Sequence, residues 1–459
     1  MSTIKPKKIW IIYAIIFAAH LCIAIFAGIH HEPWADEAQS WLIARDSHTL
    51  IDLLRAVKLE GTLPTSHLIN KAFQLAGLRY EYIFVIPLVF SAIGVILLFC
   101  TDAPLWAKIM LPFSFFAVYQ NAVVARQYAL VFPAMMLIVL FYKKRLEVPV
   151  RYHLALFLLA ITSSYGVVIA CSLLLWDLIG MVRTRFNDPV YKKSIVPFFA
   201  TGLVIAAMSY LSLPPENCSM ILIKYPLDLY AANALLFHIE NRVIRILFLL
   251  VVLVLLAYYF RRRLLQFFVI ATPLIVFMIV VYQRVWHMTY VFWLLVSLMI
   301  IFRDDFKKTK KHSERFPNLL VGSIAVFMLA VQCLAGFYSI FYDYQNNYSP
   351  AKEVAKMIEP YVESGAVINR LGYASIAVSP YFDHSIFAND SYGKTYYVWD
   401  YNAPNDCLSE DLPDVVVANK TYADFNDQYY DVYCFDSHMI FKFNETEFIP
   451  YVVYVKKDI

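Results

Sequence analysis

The sequence predicts an all-α polytopic membrane protein of about eleven transmembrane helices, with juxtamembrane helices in its first outer loop and a small C-terminal extracytoplasmic α/β domain. Three observations carry that expectation. The 459 residues are 60% hydrophobic and 16% charged, with a mean hydropathy of +0.58, whereas soluble domains run at roughly 45–50% and ~25%. Apolar runs of membrane-spanning length recur along most of the chain. After residue 340 the composition switches, with 18 acidic and 8 basic side chains and no long apolar run.

The elements follow in order. Residues 9–29 form an unbroken apolar run behind a basic start, Lys5-Pro6-Lys7-Lys8. At ~1.5 Å per residue it spans ~30 Å, the thickness of a bilayer core. It is longer than a signal-peptide core and no small-residue cleavage site follows, so it is expected to stay as an anchor. Further runs fall at 82–100, 107–122, 127–142, 152–164, 166–182, 195–213, 243–260, 267–283, 286–302 and 317–340. With the N-terminus in the cytoplasm, alternation puts 21 Lys and Arg in the inner segments and 10 in the outer loops. That is the bias that orients membrane proteins. The division is then a transmembrane domain over 1–340, in which 30–81 is the first extracytoplasmic loop, and an extracytoplasmic domain over 341–459. In the latter, SPAKEVAKMIEPYVE reads as a helix, and AVINRL, DVVVANK, HMIFKF and FIPYVVYV as strands.

Several chemistries lack their signatures. There is no Gly-rich phosphate loop, no G-x-S-x-G, no H-E-x-x-H and no C-x-x-C. No internal repeat of the kind common in transporters is visible. The net charge of +4 conceals a segregation of sign and gives no reason to expect a nucleic-acid partner. Cys407 and Cys434 share the C-terminal domain, where a disulfide is permitted. Asp177 is an acid within a span, and a local salt bridge near Arg183 is its expected role.

The first outer loop holds the densest chemistry. On a helix starting near Trp34, the residues Trp34, Ala38, Trp41, Leu42 and Arg45 share one face, and Asp36 and Glu37 lie on others. Thr49 and Asp52 form a capping box for a second amphipathic helix. Such a pair of helices, with Trp at the boundary, suits a segment lying on the membrane. Asp36 and Glu37 are adjacent carboxylates at the mouth of a span. Outward cations are Arg126, Arg284 with His287, and Arg242 with His238.

The stretch Pro33-Trp34-Ala35-Asp36-Glu37-Ala38-Gln39 followed by Trp41-Leu42-Ile43-Ala44-Arg45-Asp46 resembles the first extracytoplasmic loop of GT-C-fold glycosyltransferases. Ala125-Arg126-Gln127-Tyr128-Ala129-Leu130 is similar to the aromatic-basic segment that opens a later span in bacterial members. Many spans before a soluble outer domain also resemble that architecture. One departure is Glu60-Gly61-Thr62-Leu63-Pro64, where relatives often have Glu-Gly-His-Pro.

The resemblance implies an integral membrane transferase of the cell envelope. It would take a sugar from a polyprenyl-phosphate carrier and pass it to a glycan, lipid or protein acceptor. Asp36 ranks first and Glu37 second as the base that accepts the acceptor's proton. Arg126, Tyr128, Arg284 and His287 are the expected donor-phosphate group, because a cation stabilises the charge gathering on the leaving phosphate. Trp34, Glu60, His238 and Arg242 are further substrate-binding candidates. Asp36, Glu37 and Glu60 are oxygen ligands of the type Mg²⁺ or Mn²⁺ takes, without a fuller ligand pattern. Two other classes stay open: a lipid or glycan transporter or flippase, and a non-catalytic scaffold or sensor built around the outer domain. The placement of Asp36 relative to Arg126 and Arg284 separates them.

Overall fold

The computed structural model describes residues 6–186, 188–219, 232, 234–236, 238–307, 315–409, 412–425, 428–447 and 449–457. Most of the chain is helical. Among the described residues, five helices are long and apolar enough to cross a membrane: Lys8–His30, Tyr80–Cys100, Ser164–Arg183, Arg242–Tyr259 and Arg315–Gln345. Five shorter apolar helices accompany them: Gln127–Tyr142, Pro149–Ala160, Ile195–Leu211, Leu264–Val280 and Val285–Ile301. Together they match ten of the eleven expected runs. Their outer faces expose large apolar side chains, such as Val243, Leu247, Leu250 and Val254 on one helix and Phe316, Leu319 and Phe327 on another. Water penalises a surface of that size, so the bundle is compatible with a membrane protein.

The eleventh run, 107–122, is not one helix. It breaks into Leu105–Met110, a short 3₁₀ turn at Leu111–Phe113 and a π-helical turn at Phe115–Gln120. Pro112 has no amide to continue the ladder, and Ser114 is extended at ψ 150°. The π turn is buried throughout, and its wider spacing closes Asn121 N onto Phe116 O at 3.0 Å.

The loop after the first helix, α1 (Pro6–His30), folds into three short ones, α2 (Ala35–Asp46), α3 (Leu50–Leu59) and α4 (Thr65–Leu75). The expected box caps α3: Thr49 Oγ1 accepts from Asp52 N, and Asp52 Oδ2 accepts from Thr49 N, both at 3.1 Å. The membrane-surface reading of α2 is corrected. Nine of its twelve residues are buried, on all sides. Small side chains make this possible, since Ala35, Ala38, Ser40 and Ala44 let neighbours approach from every direction. Trp34 caps the helix instead of sharing its face.

The C-terminal region begins with the helix Ala351–Glu363. Its main sheet has the order β1-β2-β6-β3, from β1 (Ile368–Leu371), β2 (Val415–Ala418), β6 (Tyr451–Lys456) and β3 (Tyr430–Phe435). β1 and β2 are parallel and the other pairs antiparallel. The strand alternation sorts two faces. Val415, Val417, Val453 and Val455 face a core that also contains Ala38, Trp41, Leu42 and Ile43 of α2. Val416, Ala418, Val452 and Tyr454 face Phe425 and Tyr430 on the far side. The C-terminal region and the first loop therefore bury their apolar surface against each other.

A second attachment is the hairpin of β4 (Met439–Phe441) and β5 (Asn444–Glu447). Met439, Ile440 and Phe441 enter the core of the helical bundle. Phe441 meets Phe115 edge-on at 4.8 Å between ring centres and Trp286 at 5.3 Å. The expected boundary at 341 falls inside a helix that runs to Gln345. No disulfide joins Cys407 and Cys434, which are exposed thiols.

The loops sort to two ends. Asp102, Lys143, Arg263, Asp304 and Asp305 meet through ion pairs at one end. Asp36, Arg126 and the C-terminal domain gather at the other. Asp177 is held near the first of these by Arg145 at 2.7 Å, so its partner comes from the loop before a neighbouring helix and not from Arg183. The 308–314 part of the last basic loop, and Lys5 and Lys224, lie outside the described residues.

Candidate active site in the first loop

The two adjacent acids separate at once. Successive helical residues point about 100° apart, so at the start of α2 Asp36 and Glu37 face different neighbours. Glu37 is fully buried. Its Oε1 accepts from Ala125 N at 2.6 Å, and its Oε2 from Trp34 N at 3.2 Å. His31 Nε2 also lies 3.2 Å from that Oε2. The other ring nitrogen of His31 is 2.7 Å from Asp343 Oδ2, which accepts from Tyr119 OH at 2.8 Å as well. Burial alone would lower the His31 pKa, but the carboxylates of Asp343 and Glu37 raise it to about 10. Glu37, His31, Asp343 and Tyr119 thus form a closed, buried chain that joins α2 to the π turn and the last long helix. With three donors already on its oxygens, Glu37 ties elements together and has little capacity for a further partner.

Asp36 is different. Its side chain keeps 27% of its surface. One oxygen, Oδ2, is 3.1 Å from Arg126 Nη2, and the other, Oδ1, accepts from Tyr373 OH at 2.8 Å. Arg126 also donates through Nη1 to Asp36 O at 2.8 Å. Burial works against the Arg126 cation, and Asp36 together with Tyr128, Tyr373 and Glu60 more than offsets it, so the guanidinium stays charged.

Arg126 is placed by the buried π turn before it. Gln120 Nε2 donates to Trp286 O at 2.8 Å. Asn121 Nδ2 donates to Tyr128 O, and its Oδ1 accepts from Thr289 Oγ1 and Trp293 Nε1 at 3.1 and 3.2 Å. The segments carrying Arg126 with Tyr128 and Arg284 with His287 are thereby locked together. His287 Nδ1 accepts from Arg284 N at 3.1 Å, and Tyr165 OH lies 2.8 Å from it. Arg126 and Arg284 both act electrostatically on His287, and Asp36, Arg284 and Arg126 act together on Tyr282. Tyr128 is buried within reach of Arg126, Glu37 and Asp36.

Glu60 joins the group from the end of α3. Gln39 Nε2 donates to Glu60 Oε1 and to Tyr397 O, both at 2.7 Å, and Gln39 Oε1 accepts from Tyr397 N at 2.8 Å. Burial pushes the Glu60 carboxyl up to about 7, with the Gln39 hydrogen bond and the Arg126 charge pulling the other way. His67 of α4 is buried near the same guanidinium. Burial first, and Arg126 second, lower its pKa to about 3, which keeps it neutral. A cavity of about 20 Å³ lies against Arg126, Ser66 and Asn70, the size of one water.

Of the residues expected from sequence, Asp36, Glu37, Trp34, Glu60, Arg126, Tyr128, Arg284 and His287 are thus brought to one end of the molecule. His238 and Arg242 are not part of the cluster's connections. They stand at the start of the Arg242–Tyr259 helix, half-buried and exposed, where Asn241 provides the cap. Among the described residues no three His, Cys, Asp or Glu side chains are grouped to hold a metal ion, and Asp36 and Glu37 direct their oxygens to different partners.

Sequence reading missed His31, Gln39, Asp343 and Tyr373. His31 had a signal, since it stands six residues before Glu37 in the same loop. Asp343 had a weaker one, as an acid ending an apolar run. Tyr373 had none, because 337 positions separate it from Asp36. It follows Gly372, whose φ of +84° favours glycine and where a side chain would strike Asn419. Compared with known proteins, the chain matches no family model, no curated protein and no solved structure.

Proposed function

We propose that the protein is an integral membrane glycosyltransferase that moves a sugar from a polyprenyl-phosphate donor to a glycan, lipid or protein acceptor. In this reading the broken 107–122 segment still crosses, and eleven spans of GT-C type then place the N-terminus in the cytoplasm and the C-terminal domain on the extracytoplasmic face. The observation that carries it is the Asp36 carboxylate, partly exposed between a half-buried arginine and a tyrosine of the C-terminal region.

The chemistry follows from the two sides of that carboxylate. An acceptor hydroxyl attacks the anomeric carbon of the donor sugar, and a new C–O bond forms as the bond to the phosphate oxygen breaks. The hydroxyl proton passes to Asp36, acting as general base. The leaving polyprenyl phosphate takes the electron pair of the broken bond. Arg126, freed from Asp36 as the donor enters, can pair with that phosphate through its two-pronged guanidinium. Arg284 and His287 adjoin the same position. Attack opposite to the leaving group inverts the anomeric centre. Glu37 holds α2 in place and is not asked to react.

A transporter or flippase would also need polar groups at its mouth. The joining of base and cation at one point favours the enzyme, because transport requires no proton acceptor beside the phosphate site. The test is transfer of labelled sugar from a synthetic polyprenyl-phosphate donor by the purified chain in nanodiscs. Turnover abolished by Asp36→Asn in a normally folded protein supports the reading. Lipid-donor translocation without any transfer would replace it with the transporter.

A further inference from the structure

Three aromatic rings of the C-terminal domain stand beside the acid cluster, and the proposed reaction leaves them unused. Tyr373, Tyr397 and Trp399 form a closed trio, with ring centres 5.6, 5.0 and 4.8 Å apart. All three are half-buried, so each keeps a free part of its surface. They come from the start of a 3₁₀ helix at Tyr373 and from a separate loop, which meet because Gly372 makes the turn before Tyr373 and Gln39 clasps the backbone of Tyr397 on both sides. The rim of the trio is polar and acidic. Tyr373 OH is bound to Asp36, and Tyr397 OH lies 3.4 Å from Asp406 Oδ2. The Trp399 indole N–H is buried and turned toward Glu60, close enough to favour the Glu60 carboxylate although the two miss a well-formed hydrogen bond.

An apolar patch of electron-rich rings edged by carboxylates selects a particular chemistry. A sugar ring has one face of C–H groups that stacks on the negative face of an aromatic ring, and hydroxyls that donate to carboxylates. An anionic headgroup would meet Asp36, Glu60 and Asp406 at unfavourable range. A purely apolar chain would leave those carboxylates unanswered. The orientation of Asp36 fixes the role. Its Oδ2 faces the arginine, the side suited to phosphate, and its Oδ1 faces Tyr373.

We propose that Tyr373, Tyr397 and Trp399 form a saccharide subsite through which the C-terminal domain binds the sugar ring of the acceptor, delivering its hydroxyl to Oδ1 of Asp36. The assignment rests on the transferase reading for the acceptor role, while saccharide binding itself can be measured apart from it. The domain is then part of the site, and the acceptor is a glycan or glycolipid in preference to an unglycosylated protein.

The experiment uses the full chain in nanodiscs, without donor, titrated with maltotriose, chitotriose and mannotriose and followed by saturation-transfer NMR. At least one trisaccharide should bind in the millimolar range. Tyr397→Ala should weaken it by about tenfold or more, because the ring is lost while the backbone bonds to Gln39 stay. Tyr397→Phe should bind as the parent does. Trp399→Phe gives a second view, since it keeps an aromatic face but removes the indole fluorescence that the bound sugar should perturb. Absence of binding by all three trisaccharides, or parental binding by folded Tyr397→Ala, overturns the proposal. Saccharide binding without sugar transfer would leave the subsite standing and remove the transferase reading, so the two fail separately.

Discussion

The two ends of the helical bundle both carry ion pairs, and they differ in how those pairs are held. At the end away from the C-terminal domain, Lys143 bridges Asp102 and Asp304, and Arg263 meets Asp305, all between loops with much of their surface in solvent. At the other end, Glu37, His31 and Asp343 are almost wholly buried, and Asp36 with Arg126 is about three-quarters so. Exposed pairs contribute ~0–1 kcal/mol, whereas breaking a buried pair costs ~3–5 kcal/mol because one charge is stranded. Apart from the buried pair of Asp177 and Arg145, the first end has the pattern of loops stitched together. The second has charges kept out of water at a cost that stability alone does not explain. Within it, the buried chain around Glu37 positions the half-open pair of Asp36 and Arg126.

The comparison breaks most readily at Asp36. Asp36→Asn keeps the shape and the Tyr373 contact but cannot take a proton. Transfer from the lipid donor should fall by ~10²–10⁴-fold, roughly 3–5 kcal/mol of barrier, while the unfolding temperature drops by less than for Glu37→Gln, because Arg126 loses its charge partner but keeps part of its surface in water. Near-parental turnover would strip Asp36 of the base role. Next come two buried structural acids, one from each end. Glu37→Gln must turn an amide N–H₂ toward Trp34 N or Ala125 N, and it leaves His31 short of one carboxylate; about 3 kcal/mol or more of stability should go. Asp177→Asn strands Arg145 and should cost a similar amount while the surviving folded protein transfers sugar normally. Thermal unfolding and turnover, measured on the same preparations, separate these outcomes. A selective loss of turnover in Asp177→Asn would mean that the far end shares in the chemistry.

The apolar helices were legible because apolarity over many consecutive residues is a local property of the chain. The acid pair, Arg126, Arg284 and His287 were legible because each stands at the edge of such a run. What escaped was decided by contact between distant segments. The π turn replaced a continuous helix because Pro112 interrupts the ladder while the segment's composition still reads as a span. α2 read as amphipathic until the C-terminal domain covered its second side. The strand β3 escaped because four of its residues are exposed, so Tyr430–Phe435 lacks a buried run. The difference between Asp36 and Glu37 could not be read at all, since it rests on Tyr373 and His31 supplying opposite environments to neighbouring residues.

A pH measurement sharpens the contrast at intermediate size. Burial raises the Glu60 carboxyl from 4.5 to about 7. The folded chain therefore holds a proton that the unfolded chain has released, and stability falls as pH rises through that interval. The contribution is fully present below the unfolded value and is lost once pH passes about 7, at most about 3 kcal/mol. Glu60→Gln, which keeps a partner for Gln39 and carries no charge, should flatten the curve of unfolding temperature against pH between about pH 5 and 8. A parental slope in that variant would show that Glu60 stays ionised where it is, stabilised by Arg126.

The smallest effect is expected at Lys143, and it tests the other half of the comparison. Its side chain is 36% exposed, and those of Asp102 and Asp304 are 74% and 60% exposed. Water already solvates these charges, so Lys143→Ala should cost less than about 1 kcal/mol. Salt near 1 M should erase the difference, because the screening length there is only ~3 Å. Asp102 and Asp304 lose a shared cation but remain wet, which avoids the penalty that Glu37→Gln imposes on His31. Chemical denaturation at low and high salt gives both numbers. A loss as large as that of Glu37→Gln, persisting in high salt, would mean that this end is as dry as the other, and the division of the molecule into a stitched end and a working end would fall.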